Sequence, residues 1–516
     1  MISVEDFLQS GIVALSHKEN SGQPGLELPD QLSNLPKEFT GASTDTRKIH
    51  PGQIFFCLQG PNFDAHNFVD VALQKGAAAV VIQKRKRPAV LELLEKSKPS
   101  DKSQPIFECD EPLEAMQNLA RLHRRREGYC VFAITGSNGK TSAKEMLLGM
   151  LSHILGADSV DATTGNLNNH IGLPLTILNF KPGISHAILE LGMNHAGEID
   201  LLSSIAQPDH GLITSVGRAH IEFFYSRRGI VRAKQELADH CNQSLTYPAS
   251  AIGKGRLYRR KTRLKGNRTG QELKPAIALF GFDGDSGWNS VPAAARQNPE
   301  WKMIRAHGVE FGPKGNSFDL NLEGSSCRIE NSHYFSRVQA ENLLGCVTTL
   351  WMAGFLAQQI VDSAAHAAPV SGGRFHVLRK DDRILVDDTY NANPDSFLAA
   401  IASLRKMLPE GKLLCLAGEM AELGQSSASG HREVGADLNR NGYQIQAIGN
   451  QGAMEYLRGS GVEPEVGFFF SNSSELADHI ERHPQLYLSY DGILAKGSRS
   501  ARMEKACDAL KRIGYV

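Results

Sequence analysis

A glycine-rich segment that carries a lysine and two hydroxyl residues is the strongest chemical signal in the sequence. It follows the apolar run Cys130 to Ile134 and precedes a helical pattern, which is the setting of a phosphate-binding loop. Glycines let backbone N–H groups face a polyphosphate, and the start of the following helix adds a favourable dipole. We therefore predict an ATP-binding loop made of Gly136, Ser137, Asn138, Gly139, Lys140, Thr141 and Ser142.

The loop predicts roles for two of its side chains. Lys140 is expected to reach the β- and γ-phosphates, and the Thr141 hydroxyl is expected to bind Mg²⁺. The segment departs from the usual eight-residue form, because Ile134 stands where the first glycine is expected. An ordinary glycine-rich turn is the alternative interpretation, and the run from Gly139 to Ser142 argues against it.

Two further residues follow apolar strand patterns and could bind a metal. A phosphate loop needs a second Mg²⁺ ligand, typically a carboxylate at the end of a neighbouring strand. Glu190 is the last residue of the strand pattern Ala187 to Glu190 and is predicted to be that ligand. His220 follows the strand pattern Gly211 to Thr214. A lone histidine is more often structural, so its residue type alone leaves both roles open.

The composition limits the class of protein. The chain has 516 residues, 41% of them hydrophobic, which favours two to four domains with packed cores. Lys plus Arg and Asp plus Glu are both 56, so the formal charge is zero, and a general nucleic-acid binder is not expected. The eight cysteines form no Cys-x-x-Cys pair, which favours reduced thiols in a cytoplasmic protein. We expect neither a signal peptide nor a membrane span.

Strand and helix patterns alternate along the chain, which is typical of βαβ units and an α/β fold. A basic segment, Lys254 to Arg268, is predicted to be a solvated insertion, and a binding patch for an anionic substrate or a membrane is the alternative. We predict domains over residues 1–111, 112–365 and 366–516. The residue patterns predict strands at 52–58, 77–82, 383–386, 412–416 and 445–448, and they predict helices at 69–75 and 113–126.

The motifs together resemble those of the Mur ligases, and the resemblance extends over nearly the whole chain. The phosphate loop matches the family pattern Gly-(Thr/Ser)-Asn-Gly-Lys-Thr. The other segments that carry the resemblance are 43–47 and 60–68 near the N-terminus, 165–174, 190–199, 220–222 and 233–236 in the middle, and 373–374, 387–394, 418–424 and 496–499 towards the C-terminus.

This resemblance implies a fold and an activity. It implies an α/β protein of three domains, with a central P-loop parallel-sheet ATPase domain and a C-terminal Rossmann-like domain. It implies an ATP-dependent ligase that adds D-alanyl-D-alanine to UDP-N-acetylmuramoyl-tripeptide through an acyl phosphate, in cytoplasmic synthesis of peptidoglycan precursors. The expected cofactors are ATP and Mg²⁺, and we expect a monomer without nucleic-acid partners.

The resemblance also implies site residues. Lys140, Lys234 and His220 are expected to be catalytic, and Asn342, Arg374 and Asp388 are expected to join the loop in binding ATP. Lys234 lies in the segment whose lysine is carbamylated in the family. The implied metal ligands are Thr141, Glu190, His220 and Lys234, and the implied residues for the UDP-substrate are Ser43, Thr44, Asp45, Thr46 and Arg47.

Other activities remain as alternatives at this point. The family usually carries His-Asn-x-x-Asn near the adenine, whereas only Asn342 of that motif is kept here. A ligase that adds the third amino acid would carry Asp-Asn-Pro-Arg when it adds diaminopimelate, and the sequence lacks this motif. A folate-polyglutamate ligase, a non-catalytic scaffold derived from a ligase, and a P-loop motor or kinase complete the alternatives.

Overall fold

The computed structural model describes most of the chain, which divides into two compact units. The first unit comprises residues 1–133, 156–192 and 198–209, and the second comprises 134–155, 193–197 and 210–516. The chain therefore enters the second unit three times, at residues 134, 193 and 210. The described residues are 1–14, 36–97, 106–218, 221–224, 226–254, 275–298, 300–322, 324–370, 372–462 and 468–516.

A five-stranded sheet occupies the N-terminal part of the first unit, with strand order β2-β9-β8-β5-β4. Its strands are parallel except that β2 runs antiparallel to β9. Every residue of β8 is buried, because helices cover both faces of a parallel sheet of this kind. The strands are β2 (Val13–Ala14), β4 (Ala42–Ser43), β5 (Ile54–Phe56), β8 (Ala79–Gln83) and β9 (Ile106–Cys109).

Short elements and helices complete this part of the unit. The helix Pro112–Glu127 begins with proline and ends at Gly128, whose φ of 68° suits the left-handed end of a helix. Two short antiparallel pairs are β1 (Ile2–Ser3) with β3 (Glu38–Phe39) and β6 (Gln59–Gly60) with β7 (Phe63–Asp64). The other helices are Val4–Gln9, Val69–Gln74 and Arg87–Ser97.

Three parallel-type strands form the rest of the first unit, in the order β11-β12-β10. Strand β11 (Val160–Ala162) pairs in parallel with β12 (His186–Glu190). Strand β10 (Cys130–Thr135) begins in the first unit, and its last two residues belong to the second. The helices Gly172–Leu178 and Glu198–Ala206 pack against the helix Pro112–Glu127.

The second unit opens with a sheet of strand order β13-β14-β15-β16-β17-β18. The first four strands are parallel and the last two are antiparallel. The helix Lys140–Leu155 packs against the helices Arg337–Met352 and Ala357–Ala364. The strands are β13 (His210–Ile213), β14 (Ser244–Pro248), β15 (Ala276–Phe282), β16 (Trp301–Gly312), β17 (Gly315–Leu322) and β18 (Ser325–Asn331), and three short helices are Ile221–Phe224, Arg227–Gln235 and Ala293–Gln297.

A six-stranded sheet forms the C-terminal part of the second unit, in the order β19-β20-β24-β21-β22-β23. Only β19 is antiparallel to its neighbour. Two separate hydrophobic clusters cover its two faces, as expected for a doubly wound sheet. The strands are β19 (His376–Lys380), β20 (Arg383–Asp388), β21 (Leu413–Gly418), β22 (Tyr443–Ile448), β23 (Phe469–Phe470) and β24 (Gly492–Lys496). The helices are Pro394–Met407, Ser427–Arg440, Gln451–Ser460, Ser473–Arg482, Pro484–Leu488 and Glu504–Arg512.

The α/β class predicted from the sequence is confirmed, and the predicted strands and helices lie within a few residues of those observed. All eight cysteines are free thiols, as expected. Within the described ranges, no helix combines the length and apolar character required to cross a bilayer. The domain boundaries stay a prediction, and the basic segment after Lys254 lies outside the described residues.

Candidate active site

The predicted phosphate loop connects β10 to the helix Lys140–Leu155 and is held by a second loop that follows β13. Ser137 N donates to Ser215 O at 2.9 Å, and Asn138 N donates to Ser215 Oγ at 2.9 Å. On the other side, Thr214 Oγ1 donates to Asn138 O at 2.5 Å. These bonds fix the backbone of the loop before any ligand is bound.

Two glycines of the loop stand where no side chain fits. A Cβ at residue 136 would lie 1.9 Å from Thr214 Oγ1. A Cβ at residue 139 would lie 2.4 Å from Asn342 Oδ1, and the φ of Gly139 is +84°. Asn342 is buried on the helix Arg337–Met352, so its amide lies directly against the loop. The role predicted for Asn342 in binding ATP stays a prediction, and its position beside Gly139 is compatible with it.

Replacing Gly139 with alanine should weaken ATP binding by at least about tenfold, because the new methyl group is strained and displaces Asn342. Isothermal titration calorimetry with a non-hydrolysable ATP analogue measures the effect. Gly156→Ala is the matched control, since Gly156 has a φ of +90° with no heavy atom within 4 Å of the added Cβ. Equal affinity of the two variants would contradict the argument.

Lys140 and Thr141 are the first two residues of the helix that follows the loop. Lys140 is half-buried, and its Nζ donates to Gly136 O at 2.9 Å. The Lys140 ammonium therefore lies against the phosphate loop, where the phosphates of a bound nucleotide are expected. Thr141 is buried and lies at the helix N-terminus, where a hydroxyl ligand for Mg²⁺ was predicted.

Lys234 is a buried lysine on the helix Arg227–Gln235, with only 2% of its surface exposed. Burial lowers the pKa of its ammonium well below the usual value, and the positive charge of Lys140 lowers this pKa further. Both effects favour the neutral amine over the ammonium. A neutral amine is a nucleophile, whereas a lysine at the surface carries a proton.

The C-terminal part of the second unit contributes Asn393 to the loop. Asn393 Nδ2 donates to Asn138 Oδ1 at 2.7 Å. Its Oδ1 accepts from Ser396 N at 3.0 Å, so the same amide caps the helix Pro394–Met407. The sequence analysis did not assign this residue to the site. An asparagine before a proline does predict the start of a helix, but nothing in that pattern indicates the contact with Asn138.

Two residues predicted to bind ATP lie on the C-terminal sheet or beside it. Asp388 ends β20, and its Oδ2 accepts from Lys496 Nζ at 2.6 Å while its Oδ1 accepts from Phe375 N at 3.0 Å. The Arg374 guanidinium lies 3.8 Å from the centre of the Tyr390 ring. These contacts attach the segment before β19 to the sheet, and the nucleotide roles of Arg374 and Asp388 stay predictions.

Glu190 lies at the end of β12 in the first unit and is 2% exposed. Its Oε1 accepts from Asn168 Nδ2 at 2.8 Å, and its backbone N donates to Thr163 Oγ1 at 2.9 Å. The strand-end position that was predicted is thus observed. His220 lies outside the described residues. In the part of the chain that the structure describes, no three His, Cys, Asp or Glu side chains form a metal cluster.

The predicted UDP-substrate segment forms a tight turn after β4. Ser43 Oγ accepts from Asp45 N at 3.2 Å, and Arg47 pairs with Asp45 on the surface. The hydrogen bond from Arg47 lowers the pKa of Asp45 to about 2. Thr44 and Thr46 belong to the same turn, and the binding role of all five residues stays a prediction.

A cavity of about 700 Å³ lies elsewhere in the first unit. Arg85 Nε donates to Gln83 Oε1 at 2.7 Å, and Gln83 Nε2 donates to Glu111 Oε1 at 2.8 Å, so a polar chain runs along its wall. The buried His66 accepts from Gln83 N through Nε2, which places its proton on Nδ1. The lining residues are Cys57, Leu58, Gln59, Gly60, Pro61, His66, Gln83, Arg85, Glu111, Pro112, Leu113, His170 and Ile171.

Known proteins resemble this chain over almost all of its length. The Mur ligase middle domain matches residues 134–350, and the family described as Mur ligase, glutamate ligase domain, matches residues 373–499. The UDP-N-acetylmuramoyl-tripeptide--D-alanyl-D-alanine ligase of Escherichia coli (strain K12) is 31% identical over 508 residues, covering 94% of this chain and 97% of its own. The protein of that name from Haemophilus influenzae is 30% identical over 477 residues, covering 91% and 93%. The crystal structure of MurF from Acinetobacter baumannii is 26% identical, with a TM-score of 0.75 and 99% of both chains covered.

Proposed function

The chain belongs to the Mur ligase family, and on that premise we propose that it is an ATP-dependent ligase that joins D-alanyl-D-alanine to UDP-N-acetylmuramoyl-tripeptide. The observation that carries this proposal is the 31% identity with the Escherichia coli ligase across 97% of that relative. The preformed phosphate loop supports the ATP-dependent part of the reaction.

The reaction needs ATP because a carboxylate is a poor acyl donor, since its leaving group would be oxide. Transfer of the γ-phosphoryl group to the carboxylate gives an acyl phosphate and ADP. The free amine of D-alanyl-D-alanine then attacks the acyl carbon, the C–O bond to phosphate breaks, and the amine loses a proton. The first step brings anions together, and two unit charges ~4 Å apart repel by ~4 kcal/mol at an effective dielectric constant of ~20.

The loop residues oppose this repulsion. The helix that begins at Lys140 directs its N-terminal dipole at the loop, and the Lys140 ammonium adds a full positive charge. The bond that Asn138 N donates to Ser215 and the bond that it accepts from Thr214 at its carbonyl hold the loop in one conformation, so little ordering is needed when the triphosphate binds. Lys140 is thus the residue we assign to the transferring phosphoryl group.

The metal ligands that we propose are Thr141, Glu190, His220 and Lys234. A hydroxyl, a carboxylate and a carbamate offer oxygen atoms, which suit Mg²⁺. This ion keeps several waters and phosphate oxygens among its ligands, so a cluster of three acidic or histidine side chains is not required. When bound, Mg²⁺ neutralises phosphate charge and helps to align the reactants.

We propose that Lys234 is carbamylated. A neutral lysine amine adds to CO₂, forming an N–C bond and releasing one proton, and the product is an anion with two oxygen donors. Burial of Lys234 and the positive charge of Lys140 both lower the pKa of the ammonium and so favour the neutral, reactive amine. The resulting negative charge lies where it stabilises the Lys140 ammonium, which is the reverse of the repulsion between the two unmodified lysines.

The first unit is proposed to bind the UDP-substrate through the turn of Ser43 to Arg47. The cavity beside β6 is a second element of this proposal, because it is large enough for a nucleoside and exposes a guanidinium at Arg85. A guanidinium pairs well with phosphate oxygens.

We further propose a cytoplasmic location, since ATP and the nucleotide-linked precursor are cytoplasmic metabolites in this pathway. We also propose a monomeric enzyme without nucleic-acid partners.

Release of phosphate from ATP should require both UDP-N-acetylmuramoyl-tripeptide and D-alanyl-D-alanine. With single amino acids, D-glutamate or diaminopimelate, the rate should be lower by at least about a hundredfold, because a site that binds a dipeptide leaves polar groups unpaired with a shorter amine. A coupled phosphate assay and mass spectrometry of the product make the measurement. Equal product formation with diaminopimelate would instead favour a ligase that adds the third amino acid.

A further inference from the structure

Arg218 makes an unusually complete set of contacts with two carboxylates. Its backbone N donates to Asp395 Oδ2 and its Nε donates to Asp395 Oδ1, both at 2.8 Å. Its two terminal nitrogens donate to Glu433, one at 2.5 Å to Oε2 and the other at 3.1 Å to Oε1. The carboxylates come from the helices Pro394–Met407 and Ser427–Arg440, so one side chain joins two helices of the C-terminal sheet.

The residue before Arg218 connects this cluster to the phosphate loop. Gly217 N donates to Ser137 Oγ at 2.9 Å. A Cβ on Gly217 would lie 2.8 Å from Asp395 Oδ2, so the carboxylate packs tightly against the backbone at this position. The loop after β13 therefore contacts the phosphate loop on one side and the helix Pro394–Met407 on the other.

The same helix also contacts the phosphate loop directly. Asn393, the cap of this helix, bonds to Asn138, while Asp395 bonds to Arg218. Ser137, the neighbour of Asn138, bonds to Gly217, so the path through Arg218 and Asp395 back to Asn393 and Asn138 is closed. A displacement of the helix start would thus disturb Asn138 from two directions.

An isolated ion pair at the surface contributes little to stability, but Arg218 differs from such a pair. Its side chain is 22% exposed, and three charge-assisted hydrogen bonds from the guanidinium plus one from its backbone N hold it in place. Loss of the guanidinium would leave the carboxylates of Asp395 and Glu433 close together without a counter-charge. They would repel each other and loosen the helix start.

We propose that Arg218 is a positioning residue for ATP, which fixes the start of the helix Pro394–Met407 on the phosphate loop. This inference rests on the proposed ATP-dependent function. Arg218 acts through Asp395 and Glu433 and through the loop at Gly217. Nucleotide affinity depends on Arg218, while recognition of the UDP-substrate does not.

Steady-state kinetics of Arg218→Ala test the proposal. The KM for ATP should rise about tenfold, because hydrogen bonds to charged groups are lost. The KM for the UDP-substrate at saturating ATP should stay at the wild-type value. Arg328→Ala is the matched control, since Arg328 on β18 also bonds two carboxylates, those of Asp319 and Glu330. An ATP KM of Arg218→Ala within twofold of wild type, or equal to that of Arg328→Ala, overturns the proposal.

A second set of variants covers the case in which Arg218→Ala does not fold. Glu433→Gln keeps the shape of its side chain and removes one charge. It should raise the ATP KM, and combined with Arg218→Lys it should add less than the separate effects predict. If the effects of Glu433→Gln and Arg218→Lys on the ATP KM are fully additive, the proposed coupling between the two side chains is contradicted. Binding of a fluorescent ATP analogue, measured without the other substrates, tests the role of Arg218 separately from the proposed ligase function. A loss of ATP-analogue binding in Arg218→Ala would be observed even if the enzyme used a different amine substrate.

Discussion

Lys140→Ala should lower kcat about a thousandfold, because the ammonium contributes charge to the transferring phosphoryl group. The folded protein should remain, since Lys140 is half-buried and donates to the backbone at Gly136 rather than filling an apolar core. Phosphate release measures the rate, and thermal unfolding measures stability. Lys302→Ala, on the exposed face of β16, is the control and should behave as wild type.

Removal of the Lys140 ammonium should also change the pKa of Lys234. The positive charge of Lys140 is one cause of the low pKa of Lys234, so its removal should raise that pKa, although burial of Lys234 keeps the main effect. Lys140→Arg keeps the charge and should leave the state of Lys234 unchanged while still misplacing the phosphoryl group. Wild-type turnover in a folded Lys140→Ala protein would show that the loop does not take part in phosphoryl transfer.

Lys234→Ala is expected to lose most activity and to recover part of it when acetate is added. A carboxylate of this size can occupy the space that the side chain leaves and can replace the oxygen donors of the proposed carbamate. The lysine is buried, so alanine also creates a cavity. Lys234→Met separates these effects, because it fills the volume, retains stability and should remain inactive without rescue by acetate.

Lys234→Arg should fail as well, since a guanidinium keeps its charge and is not carbamylated. ¹³CO₂ labelling followed by carbon NMR gives a direct measurement of the modification in the wild-type protein. A labelled carbamate that disappears in Lys234→Met supports the assignment. Full activity of the alanine variant, or no labelled signal from an active wild-type enzyme, would show that this lysine is structural only.

The sequence predicted those elements whose signals are local. The loop after β10 was predicted from glycine spacing and a preceding apolar strand, and the helix Pro112–Glu127 was predicted over residues 113–126. Glu190 was placed at a strand end because buried parallel strands read as short apolar runs. In each case the neighbours along the chain carry the information.

Contacts between distant segments were not predictable in this way. Arg218 meets Asp395 and Glu433 across 177 and 215 positions of the chain. No local pattern distinguishes it from any solvated arginine. Asp388 was assigned to the nucleotide, yet the parallel pairing of β20 with β24 is what sets Lys496 beside it. The antiparallel strands β16 to β18 were not predicted either, although buried and more exposed residues alternate along β17 and β18.

The helix that follows the phosphate loop is synthesised well before the helices that it packs against. The helix Lys140–Leu155 buries its apolar side against the helices Arg337–Met352 and Ala357–Ala364, which are translated much later. At ~10 residues per second the interval is about 20 s. During this time Met146, Leu147 and Met150 have none of these partners, and the strands β13 to β15 are still incomplete. The apolar side of this helix therefore stays without its final packing partners until the helix Ala357–Ala364 has been synthesised.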